Sequence, residues 1–129
     1  MTPVRVRRPI VQQQRGRAVR PQDAPREAYE FLRTNRNPRA FAHFGRTDDA
    51  LAFVNDLYQL GAARVEVDGI LTAPWIIRQE GGPYADTLYV TVLDDVATAI
   101  RVMVRAAKEH PDEVDVLERD RSTVRLWWD

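Results

Sequence analysis

From residue 39 to residue 129 the apolar positions change period several times, between the two of a strand and the 3.6 of a helix. The clearest alternation is "TLYVTVL" (87–93), where Leu88, Val90 and Val92 face one way and Thr87, Tyr89 and Thr91 the other. "ARVEVDGI" (63–70) sets Val65 and Val67 against Arg64, Glu66 and Asp68, and "RAFAHFG" (39–45) reads as a further short strand. Two stretches carry helical spacing. "DDALAFVNDLYQL" (48–60) follows Thr47 as a capping residue, places two aspartates at the positive end of the dipole and stops at Gly61. "DDVATAIRVMVRAAKEH" (94–110) aligns Val96, Ile100, Met103, Val104 and Ala107 in a stripe expected to face the core, with Arg101, Arg105 and Lys108 turned outward; His110-Pro111 ends it. The chain closes on a strand through 123–128, with part of 114–118 able to pair with it as a hairpin around 120–122. A short helix over about 24–34, with Pro25 in its first turn and Tyr29, Phe31 and Leu32 as apolar contacts, precedes all of this.

The order βαββαβ resembles the split βαβ or ferredoxin-like plait, an α+β fold in which an antiparallel sheet carries two helices on one face. Three regions are expected: a basic arm over 1–26, a short helix and linker over 27–38, and the plait over 39–129. Strand parity then assigns faces. With Val65, Val67, Leu88, Val90, Val92, Val124 and Leu126 toward the helices, Trp128 goes with them, whereas Trp127 and Arg125 face away. The same parity turns Tyr89 outward, and Phe41 and His43 join it if Ala40, Ala42 and Phe44 point inward. Phe41, His43, Tyr89, Arg125 and Trp127 are therefore expected to form a partner or ligand surface on the open face.

Charge adds a second candidate. The 129-residue chain balances 19 cationic against 19 acidic side chains, and Lys108 is the only lysine. The balance is uneven along the chain: residues 1–34 hold eight arginines against Asp23, Glu27 and Glu30, and the remainder is correspondingly acidic. Arg5, Arg7, Arg8, Arg15, Arg17 and Arg20 precede any acid, among four prolines and no aromatic residue, so the arm buries too little to order itself and calls for a partner. Interspersed Val, Ile and Pro favour a protein partner over nucleic acid.

Other chemistry is thin. Cysteine is absent, and the two histidines, His43 and His110, sit on separate elements, so neither a metal nor another cofactor is expected. No apolar run approaches the ~20 residues of a membrane span, and a cytoplasmic address without membrane contact is expected. Asp48-Asp49 and Asp94-Asp95 look like acid–base pairs but are accounted for by helix starts. His110-Pro111-Asp112 spells the tripeptide of J-domain co-chaperones without their helical hairpin, and Pro111 is read as a helix stop. The connection over 70–86 brings Trp75, Ile76 and Ile77 together with Gly81 and Gly82, as a flap over a ligand or as an extended hairpin packed on the body. The function expected is a non-enzymatic interaction or regulatory module, a homodimer through the open sheet face that engages a protein partner through the arm. Two alternatives stand beside it: a nucleic-acid binder using the arm and the outward aromatics, and a small dimeric enzyme with a pocket near His43 and Tyr89.

Overall fold

A computed structural model describes residues 25–93, 95–117 and 122–129. In chain order the elements are β1 (Arg26–Glu27), α1 (Ala28–Arg33), α2 (Thr47–Leu60), β2 (Arg64–Asp68), α3 (Pro74–Glu80), β3 (Thr87–Thr91), α4 (Val96–Ala107), β4 (Glu113–Val116) and β5 (Thr123–Trp127). The fold is α+β: the strands form one antiparallel sheet in the order β1-β2-β3-β5-β4. The alternating segments at 63–70, 87–93 and 123–128 are realised as β2, β3 and β5. Val65, Val67, Leu88, Val90 and Leu126 are buried beneath Ala50, Phe53, Val54 and Leu57 of α2 and Val102 and Ala106 of α4. Burying a side chain such as Leu57 or Phe53 contributes roughly 1.5–3 kcal/mol each, and the helices are held to the sheet mainly by this layer. Ala28, Phe31 and Leu32 of α1 belong to the same core.

The strand order is not that of a plait, because residues 39–45 do not enter the sheet. They form turns, with an isolated parallel bridge between Phe41 and Ala85. Ala40 and Phe41 are both buried, although they are consecutive, and Phe44 packs on the same ring as Phe41, that of Trp128. Apolar side chains at i, i+1 and i+4 pointing one way cannot be a strand. With the central slot unfilled, β5 pairs directly with β3, Leu88 opposite Leu126. The fifth strand comes instead from Arg26–Glu27 beside β2, so α1 starts at Ala28, capped by Glu27, whose carboxylate accepts from the Glu30 amide.

Three further expectations are corrected. Thr47 does not cap α2 but is its first residue; its hydroxyl donates to the Asn37 carbonyl (2.6 Å) and accepts from the Ala40 amide (2.8 Å), tying the preceding loop down. The 70–86 connection contains the helix α3 in place of an extended hairpin. Finally, α4 is rotated from its expected setting: Val102 and Ala106 face the core, while Val96, Ile100 and Val104 are exposed. Arg105 accounts for the rotation. Its guanidinium lies over the Phe53 ring at 4.8 Å and donates to Asp56 of α2 (3.1 Å) and to Glu109 (2.9 Å). The cation–π contact with Phe53 and the charge-assisted hydrogen bond to Asp56 hold this flank of α4, not the valine ridge, toward α2, while the bond to Glu109, four residues along the chain, orients the guanidinium.

The same network fixes the chain end. Glu109 Oε1 lies 2.8 Å from His43 Nε2, whose ring stacks on Trp128 at 5.7 Å. Trp128 Nε1 donates to the Glu109 carbonyl at 2.9 Å, and its amide donates to Asp86. Trp128 is buried against Phe41, Phe44 and Phe53.

Candidate functional site

The sheet has a second face, away from the core, and the antiparallel register writes its residues out in rows. One row runs Asp68, Thr87, Trp127, Glu113; the next Glu66, Tyr89, Arg125, Asp115; the third Arg64, Thr91, Thr123. Paired residues point the same way, so these side chains are neighbours at the ~4.5–5.5 Å spacing of cross-strand pairs. Within the rows, Tyr89 Oη donates to Asp68 (3.0 Å), and Arg125 Nη1 donates to Glu113 (3.2 Å) and to Asp115 (3.3 Å). Thr91 and Thr123 share a hydroxyl hydrogen bond at 2.8 Å, and Arg64 reaches Glu66 at 3.1 Å. Among the described residues of β2, β3, β4 and β5, four carboxylates and two guanidiniums lie on this face. Glu113, although a carboxylate, is only 1% exposed, and Thr87, Thr91 and Thr123 are buried as well. A carboxylate held so deep requires charged or hydrogen-bonding company, which Arg125 supplies.

The structure divides the five residues that parity had grouped. Tyr89, Arg125 and Trp127 do lie together on the second face, Arg125 directly opposite Tyr89 and Trp127 opposite Thr87. Phe41 and His43 do not join them: both pack on Trp128, among the core aromatics. The cause is the turn at 41–44, which removes the parity on which their placement depended. Sequence reasoning also missed Glu113 and Asp115. Their signal was available in "EVDV", which alternates acid and valine and takes its facing from the hairpin with β5.

His43 and Tyr89 are consequently not gathered into one pocket, since their hydroxyl and imidazole partners are different carboxylates, Asp68 and Glu109. Partial burial pushes the Glu109 carboxyl upward, but hydrogen bonds from Arg105 and His43 outweigh it and hold it below the ordinary value. Tyr58, at the edge of the sheet beside β2, is pushed up to about 12 by burial and by its hydrogen bond to the Glu27 carboxylate. Among the described residues, no group of three or more histidine and carboxylate side chains is arranged to hold a metal ion. None of the helices there is long and apolar enough to cross a membrane.

The glycine pair of the 70–86 connection is built into the body. Gly81 ends α3 in the left-handed region (φ 89°). Gly82 packs against Asn37, whose buried amide donates to the carbonyls of Gly82 and Pro83. Ile76 is buried, Ile77 half-buried and Trp75 exposed. Nearby, Arg33, Arg36, Arg39 and Arg46 surround an open depression of about 710 Å³ floored by Leu32 and Leu51. Arg39 and Arg46 are bound there to Glu80 and Asp48. Arg5, Arg7, Arg8, Arg15, Arg17 and Arg20 lie outside the described residues. Compared with known proteins, the chain matches no family model, no curated protein and no solved structure.

Proposed function

We propose that this protein is a non-enzymatic protein-interaction module whose second sheet face recognises arginine-rich extended segments, with the basic arm of its own chain as the resident ligand. The observation that carries the reading is the composition of that face: Glu66, Asp68, Glu113 and Asp115 flanked by Tyr89 and Trp127. Carboxylates accept paired hydrogen bonds from a planar guanidinium, and aromatic rings offer it a stacking surface. Residues 1–24 hold six arginines and one acid, Asp23, which is the complementary charge. The excess of carboxylates argues against a phosphate backbone on this face, and the separation of His43 from Tyr89 argues against shared proton chemistry.

A labelled peptide of residues 1–24 tests the proposal. It should bind the full chain weakly while the resident arm competes. It should bind more tightly when Arg5, Arg7, Arg8, Arg15, Arg17 and Arg20 of the chain are replaced by serine. Affinity should fall as salt rises, and fall about tenfold or more on Asp115→Asn with Glu66→Gln. No binding by the arm-neutralised chain at low salt would sink the proposal. Equal or tighter capture of an oligonucleotide, lost on Arg33→Ser with Arg36→Ser, would move the function to the arginine-lined depression.

A further inference from the structure

Among the described residues, six of the large apolar side chains left exposed lie on α4, at its entrance, or on the edge strand that follows it. They are Leu93, Val96, Ile100, Val104, Val114 and Val116. Val96, Ile100 and Val104 are 76%, 58% and 54% exposed and stand four residues apart, which makes one ridge along the helix. Arg105 turns the opposite flank of α4 toward α2, so the ridge faces away from that helix. Val114 and Val116, paired with Leu126 and Val124, lie on the helix side of β4. An exposed apolar ridge of this kind marks an association site more often than a monomer's ordinary exterior.

We infer that the ridge is a self-association surface, occupied by α4 of a second copy packed antiparallel about a two-fold axis through Ile100. The sequence of the helix fits that occupant. Val96 and Val104 are equidistant from Ile100, so the two-fold lays each ridge on its own copy, as an isologous interface requires. Asp95 caps the N-terminal end of α4, accepting from the amides of Ala97 and Thr98, and Lys108 closes the other end. Antiparallel packing brings the acidic end of each helix toward the basic end of its partner and opposes their dipoles. This surface is separate from the arm-binding face, on the other side of the sheet, and the two proposals stand or fall independently.

The test uses the full chain, in sedimentation velocity and light scattering over the micromolar range. Wild type should be dimeric, and Ile100→Glu with Val104→Glu should be monomeric with unchanged far-UV circular dichroism, since neither side chain enters the core. The chain has no native cysteine, so Ile100→Cys treated with a short bismaleimide should give a covalent dimer. Trp75→Cys, at a position equally exposed (58%), should not. A monomeric wild type, a dimer that survives both glutamates, or equal cross-linking at both positions would each overturn the inference. So would loss of the dimer on Trp127→Ala, which would move association to the second face of the sheet.

Discussion

Helices α2 and α4 are read from the same kind of sequence signal, and they use it in opposite ways. The stripe of α2, Ala50, Phe53, Val54 and Leu57, is buried throughout. On α4 the stripe of equal clarity is largely in solvent, and the core receives Val102 and Ala106. Periodicity establishes that a helix has an apolar face; it does not say which neighbour covers it. What decides the matter for α4 is a charged residue: Arg105, stacked on Phe53 and bonded to Asp56, occupies the side that faces α2. Small Val102 and Ala106 then allow close approach to the core.

The largest effect should separate the two helices directly. Phe53→Ala should cost about 3–5 kcal/mol in urea unfolding, the range for an aromatic side chain removed from a core. Val104→Ala should stay within about 0.5 kcal/mol when measured dilute enough to keep the chain monomeric. Comparable losses would mean that α4 is seated with its valine ridge inward.

An intermediate effect applies the contrast to the two faces of the sheet, using the adjacent tryptophans of β5 and its end. Trp128→Ala should cost about 3–5 kcal/mol, because it removes the ring on which Phe41, His43, Phe44 and Phe53 converge. Trp127→Ala should cost about 1–2 kcal/mol, because that ring is half-buried on the second face. Equal costs would refute the division of faces.

That division was legible in the sequence because a strand's period is two and each alternation gives a definite parity. Strands β2, β3 and β5, the hairpin with β4, and the buried place of Trp128 all follow from it. The failures share one cause. "RAFAHFG" looks alternating, but the hydrogen bonds of Thr47 to Asn37 and Ala40 and the packing of Phe41 and Phe44 on one ring are long-range facts. The residues that make the site acidic, Glu113 and Asp115, gain their meaning only through pairing with Trp127 and Arg125. Likewise, α3 is short and begins at a proline, so its Trp-Ile-Ile run read as extended.

The smallest effect bears on what holds α4 in its rotation. Glu109 joins Arg105 to His43 (2.9 and 2.8 Å), and these bonds keep its carboxyl below the ordinary value of 4.5. A carboxylate with a depressed folded-state pKa adds stability above the unfolded value and loses it as pH falls through the folded one. The contribution should therefore be complete at neutral pH and disappear on acidification below about 4.5. Glu109→Gln should lower stability by no more than about 1 kcal/mol at pH 7, the scale of a pair near the surface. The difference from wild type should shrink toward zero in acid. If the network sets the rotation, Arg105→Met should go further and change the pattern of amide protection, read by hydrogen exchange along α4. A helix whose exchange pattern is indifferent to Arg105 would owe its setting to Val102 and Ala106 alone.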